Sequence, residues 1–141
     1  MRATDIGRND LPQLAQLLET LTGRVTPLPR LAAAFDRMDR HPDYHLVGVH
    51  DGERLAAAVC GIICLDCVGA CQPYLVVENL IVAEAYRRRG LGRLLLAELE
   101  ARARQRDCFY VMLVSGAARV EARAFYLALG YTAAAGFKKR L

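Results

Sequence analysis

EAYRRRGLGRLLL, residues 84–96, sets three consecutive arginines against two glycines and then runs into leucines. Upstream, PYLVVENLIV (73–82) is aliphatic and β-branched and reads as a strand. Downstream, Leu91, Leu94, Leu95 and Leu99 recur at the spacing of one helix face. The arginines and glycines therefore stand where a strand ends and a helix begins. The first N–H groups of a helix lack intrahelical acceptors and their dipoles add to a positive end, so this junction is a ready anion site. Gly90 and Gly92 leave the backbone open to a phosphate, which a Cβ would obstruct. Glu98 with Arg102 and Glu100 with Arg104 line the wet side of the helix. Such a junction suits one small diphosphate better than a polymer.

Working outward, the rest of the chain alternates helix and strand patterns without repeats or an interdomain linker. Residues 2–6 read as a short strand. Asn9 or Asp10 can cap a helix that has Pro12 in its first turn and Leu11, Leu14, Leu17, Leu18 and Leu21 as its apolar stripe. PLPRLAAAFDRMDR (27–40) is a second helix. YHLVGVH (44–50) alternates, Asp51 and Gly52 read as a hairpin turn, and a long strand follows over about 53–64. After the helix from Leu91 to about Arg106 come a strand CFYVMLVS (108–115), a helix from about Ala118 to Leu129, and a tail GFKKRL.

At 141 residues and 54% hydrophobic composition the chain reads as one globular domain, 1–141. A net charge of +4, with acidic residues scattered among the basic ones, is too mild to indicate nucleic acid. Residues 1–20 carry charges throughout and lack an apolar signal core. The longest apolar run, LAAAVCGIICL (55–65), is too short to cross a bilayer. A soluble, cytoplasmic protein with no membrane partner is the expectation. Four of the five cysteines fall in CGIICLDCVGAC, at 60, 64, 67 and 71. Strung along a strand and its turn, they read as buried, reduced thiols and not as a zinc site, whose thiolates must converge on one point. No metal is expected.

The loop lacks the Lys-Ser or Lys-Thr ending of a P-loop and the third glycine of a dinucleotide fingerprint. It resembles, residue for residue, the coenzyme A loop of the GNAT acetyltransferases, a pattern met by Arg87, Gly90 and Gly92. ENLIV resembles that family's central strand. SGAARVEARAFYLALGY (115–131) is similar to its second conserved block, with Ala122, Tyr126, Gly130 and Tyr131 at matching places. The two N-terminal helices, the hairpin and the last helix-strand unit also match. The resemblance implies an α+β fold of three layers: a mixed, twisted, largely antiparallel sheet, split at two central parallel strands, with helices on both faces. It implies acetyl-CoA as cosubstrate, paired to the backbone of Leu80, Ile81 and Val82. Its pyrophosphate would lie on the loop from Arg87 through Arg88, Arg89, Gly90, Leu91, Gly92 and Arg93. The acetyl group would pass directly to an amine, with no metal and no covalent enzyme intermediate.

Two proton movements then need carriers. Glu78, an acid in an apolar strand, is the candidate base. Counting along an unbroken strand puts it on the face of Leu80 and Val82. Its plainer reading is a carboxylate that binds a cationic substrate or pairs with an arginine. Tyr126 is the candidate acid for the departing sulfur. At helical spacing with Ala122, Phe125 and Leu129, its plainer reading is a core tyrosine. The family often has Asn seven residues before this Tyr, where Arg119 stands here.

The resemblance implies as acceptor a primary amine on a small molecule or a peptide, and Phe35, Asp36, Met38 and Tyr44 are candidates for its mouth, although Phe35 and Met38 also fit a core stripe. The arrangement is similar to the small hexosamine-phosphate acetyltransferases, but Asn79 breaks their acidic pair. Protein N-termini, polyamines and aminoglycosides stay open, as does a homodimer. Two other classes remain: a catalytically silent acetyl-CoA sensor, and a nucleic-acid module using the arginines, which lacks the aromatics that such a surface interleaves.

Overall fold

The alanine run of Leu55–Val59 is explained by what covers it. In the computed structural model, which describes residues 1–116 and 119–141, Ala56, Ala57 and Ala58 lie in the middle of a sheet buried on both faces. Helices press on the strand from either side, and small side chains let them approach. The strands are β1 (Ala3–Asp5), β2 (Tyr44–Asp51), β3 (Arg54–Cys64), β4 (Tyr74–Val82) and β5 (Val111–Met112). The helices are α1 (Leu11–Thr22), α2 (Leu28–Asp39), α3 (Leu91–Gln105) and α4 (Val120–Ala128), with single 3-10 turns at Arg8–Asp10 and Glu84–Tyr86. Strand order follows the chain: the first four strands are antiparallel, and β5 joins β4 in parallel.

One face of the sheet offers Val47, Val49, Val59, Leu75 and Val77 to Leu91, Leu95, Leu96 and Leu99 of α3. The other offers Leu55, Ala58 and Ile81 to Leu11, Leu14 and Leu17 of α1 and Leu31 and Phe35 of α2. These are the three layers expected. Burying a leucine of this kind is worth roughly 1.5–3 kcal/mol, and Leu95 and Leu99 have no exposed surface.

Several local expectations are corrected. Asp51 still pairs, with Arg54, so the hairpin turn is Gly52–Glu53. Asp10 precedes α1 but makes no capping bond. Its carboxylate accepts from the Gly7 N–H at 2.8 Å and lies 2.8 Å from His50 Nε2. Of the strand expected over 108–115, Val111–Met112 is the part in register with β4 among the described residues, and ahead of it the Phe109 N–H donates to the Pro73 carbonyl and the Leu75 N–H to the Tyr110 carbonyl. Ala118, the expected start of the last helix, lies outside the described residues, and among those that are described no strand follows α4. Tyr131 fastens that segment to α3 by donating to Glu100 Oε1 at 3.1 Å.

Candidate active site

Among the described residues the parallel pair β4 and β5 is in register at Leu75 with Val111 and Val76 with Met112, with the Phe109 N–H bonded to the Pro73 carbonyl just before. Beyond Val76 the strands part. From Val77 to Val82 the outer edge of β4 has no strand beside it among the described residues, so its backbone groups are open to an extended ligand. Leu80, Ile81 and Val82 lie on this edge. One acceptor is already in use: Arg87 Nε donates to the Val82 carbonyl at 3.4 Å.

A bulge interrupts β4 within ENLIV. Ala58 faces Ile81 and Cys60 faces Glu78, so one residue of β3 is opposed by both Asn79 and Leu80, and Asn79 takes φ +55°. An extra residue reverses the alternation of faces. Leu80 and Val82 consequently pack on the α3 side with Leu75 and Val77, while Ile81 packs under α1 and α2. Glu78 therefore does not share a face with Leu80 and Val82, as an unbroken strand would require. It stands opposite Cys60, on the side of α1 and α2, and is exposed. Burial pushes the Cys60 thiol up to about 11, with the Glu78 charge adding to the shift.

At the end of β4 the chain makes the Glu84–Tyr86 turn and enters α3. The Arg87 N–H donates to Glu84 and the Leu94 N–H to Gly90. Between them, the N–H groups of Arg88, Arg89, Gly90, Leu91, Gly92 and Arg93 have no acceptor among the described residues. Gly90 is the N-cap at φ +81°, and a Cβ there would meet nothing within 4 Å. Its need is conformational, because a left-handed residue starts the helix. This run of unpaired donors, beside three arginines, can receive an anion.

Gly92 is a different case. A Cβ on it would lie 3.1 Å from Cζ of Phe125, so the missing side chain makes room for α4. Phe125 stacks edge-on with Tyr126, and Tyr126 with Tyr131. Tyr126 packs half-buried on the same cluster as Leu80, Val82 and Leu91, and its hydroxyl has no hydrogen-bond partner among the described residues. Burial raises its pKa, while Arg119 pulls it down. Tyr126 and Glu78 are thus on opposite faces of the sheet, and the gap between β4 and β5 is the opening between those faces.

Other expected residues fall elsewhere. Phe35 is core, and Asp36 pairs with Arg8. Met38 and Tyr44 border a cavity of about 260 Å³ beside Asp5, His45 and Arg102, at the β1–β2 edge and away from the split. A larger cavity of about 410 Å³ lies among Arg104, Cys108, Phe109 and Tyr131, toward the far end of α3 from the glycines. Cys67 and Cys71 are exposed and Cys64 and Cys108 half-buried, so the expectation of buried thiols holds for Cys60 alone. All five are free, and no three His, Cys, Asp or Glu side chains gather as a metal site among the described residues. Sequence reasoning missed Tyr86, Asp51 and Arg54, which meet beneath the glycine loop. A tyrosine among arginines carries no periodic signal of burial.

The same architecture occurs in known structures. A protein of Agrobacterium tumefaciens str. C58, provisionally described as an acetyltransferase, superposes with TM-score 0.92 at 26% identity over 100% of both chains. A transcriptional regulator of Bacillus halodurans C-125 gives 0.93 at 22% identity, covering 99% of this chain and 98% of that one. Glucosamine-6-phosphate N-acetyltransferase of Arabidopsis thaliana gives 0.85 at 18%, over 99% and 97%. No described helix is long and apolar enough to cross a membrane. The model of the Acetyltransferase (GNAT) family matches residues 11–131, spanning both halves of the split sheet and the glycine loop between them, and the chain belongs to that family of acetyltransferases.

Proposed function

We propose that this chain moves the acetyl group of acetyl-CoA to a primary amine, with Tyr126 as general acid and Glu78 as general base. The observation that carries the reading is the run of unpaired N–H groups at the start of α3, beside the open edge of β4. That edge offers backbone bonds to an extended arm, and the run offers a cradle for a diphosphate. Bound there, the cosubstrate supplies a thioester carbonyl for attack.

The chain's own residues supply the proton transfers. An amine is mostly protonated at neutral pH and must lose a proton before it attacks. Glu78, exposed on the α1–α2 side of the bulge, can take that proton directly or through water. Tyr126 is held on the other side, with no hydrogen-bond partner for its hydroxyl among the described residues and its proton retained by burial. It can deliver that proton to a departing sulfur, and Arg119 eases the negative charge then left on the phenol oxygen. The acceptor is best sought with a panel of hexosamine phosphates, polyamines, aminoglycosides and peptide N-termini, assayed with acetyl-CoA by release of free thiol. Turnover with one class supports the reading. Coenzyme binding without turnover on any of them would instead support a sensor.

A further inference from the structure

Tyr86 ends the 3-10 turn immediately before the glycine loop. The residue is 8% exposed, and its hydroxyl donates to Asp51 Oδ2 at 3.0 Å. Asp51 closes β2 and pairs with Arg54, which opens β3, so both stand at the base of the β2–β3 turn. The Arg54 guanidinium lies 5.8 Å and that of Arg89 5.3 Å from the centroid of the Tyr86 ring. A tyrosine thus ties a distant hairpin to the start of the unpaired N–H run.

The loop needs such a tie. Its backbone bonds stop at the Arg87 N–H and resume at the Leu94 N–H, and Arg88 and Gly90 both take positive φ. Little in its own backbone fixes its shape. Three neighbouring guanidinium groups also repel one another and the converging N–H dipoles. The electron-rich ring of Tyr86 beneath Arg89 offsets part of that repulsion before any anion arrives. A loop held in its binding shape loses less entropy when it captures a ligand.

We propose that Tyr86 is a positioning residue for coenzyme binding: hydrogen-bonded to Asp51 and carrying Arg89 on its ring, it latches the phosphate loop to the β2–β3 turn. The proposal rests on reading the glycine loop as the diphosphate cradle. Titration calorimetry with coenzyme A tests it without turnover. Tyr86→Phe keeps the ring under Arg89 and loses only the hydrogen bond to Asp51, and its Kd should rise about 3- to 10-fold. Asp51→Ala should do the same and Asp51→Asn, which keeps an acceptor, should stay within about twofold of wild type. The double variant Tyr86→Phe, Asp51→Ala should be no weaker than either single one, because both remove one bond. A ring that merely fills the core would leave Kd unchanged in Tyr86→Phe, and that result overturns the latch. Additive losses in the double variant would also overturn it. Tyr86→Phe preserves the buried ring, so it decides the question even if Asp51→Ala folds poorly. If the wild type itself binds no coenzyme A, the reading of the loop falls, and the latch with it.

Discussion

Gly92 and Phe125 stand in close contact: a Cβ on the glycine would lie 3.1 Å from Cζ of the ring, so the ring would have to give by a few tenths of an ångström. The first turn of α3, whose Leu91, Gly92 and Arg93 N–H groups have no acceptor among the described residues, is therefore also the surface on which α4 docks. Two glycines two residues apart do different work. Gly90 permits a backbone conformation, and Gly92 permits a contact.

Gly92→Ala should accordingly destabilise the protein by about 1–3 kcal/mol through overpacking. Phe125→Leu in that background should restore part of the loss, because the two sites share a contact. Denaturant midpoints measure both. An unchanged midpoint for Gly92→Ala would mean that α4 does not rest on this turn.

Tyr126→Phe removes a hydroxyl that has no described partner, so stability should change by less than about 0.5 kcal/mol. Coenzyme affinity should hold while kcat falls on the order of a hundredfold to ten-thousandfold. Full turnover in this variant, with chemistry limiting the rate, would return Tyr126 to a packing role.

Glu78→Gln should lower kcat, with partial rescue at high pH, where more amine arrives neutral. A carboxylate that only binds substrate would mainly raise KM. The same variant should bring the Cys60 thiol down from about 11, since the Glu78 charge adds to its shift. NMR titration of the labelled cysteine reads that change independently of any acceptor.

His45 gives the fold a pH dependence. Its Nε2 is buried without a partner among the described residues, and its pKa is lowered by burial first and then by Arg102 and Arg106, against the opposing pull of Asp5 and Asp43. Below the unfolded value of about 6.5 the unfolded chain takes up a proton that the folded chain refuses, so stability is lost as the pH falls from there toward the folded pKa. The loss approaches about 1.4 kcal/mol per pH unit for one proton. Urea unfolding from pH 7.5 to 5 should show wild type weakening relative to His45→Gln. Parallel curves would mean that His45 titrates freely in the fold.

The order of the elements was legible because it rests on periodicity: leucines at helical spacing in α1 and α3, alternation in β2, and β-branched runs in β4. The anion loop was legible because glycines and arginines at a strand-to-helix junction are a local signal. Non-local geometry was not. VVENLIV reads as an unbroken strand, yet the bulge at Asn79 reverses the faces beyond it and moves Glu78 to the side opposite Leu80 and Val82. Nothing near Gly92 announces a phenylalanine 33 residues later as its neighbour. Asp10 has the right type and place for a cap, but a histidine forty residues away competes for its carboxylate.

If the start of α3 and the open edge of β4 bind acetyl-CoA as proposed, the ligand must stabilise the fold. Thermal unfolding of the wild-type protein, measured with rising acetyl-CoA, tests it most directly and needs no knowledge of the acceptor. At a hundred times Kd the ligand should add about 2.7 kcal/mol, a rise in Tm on the order of 10 °C for a domain of this size. A Tm that stays unchanged up to millimolar acetyl-CoA would contradict the account.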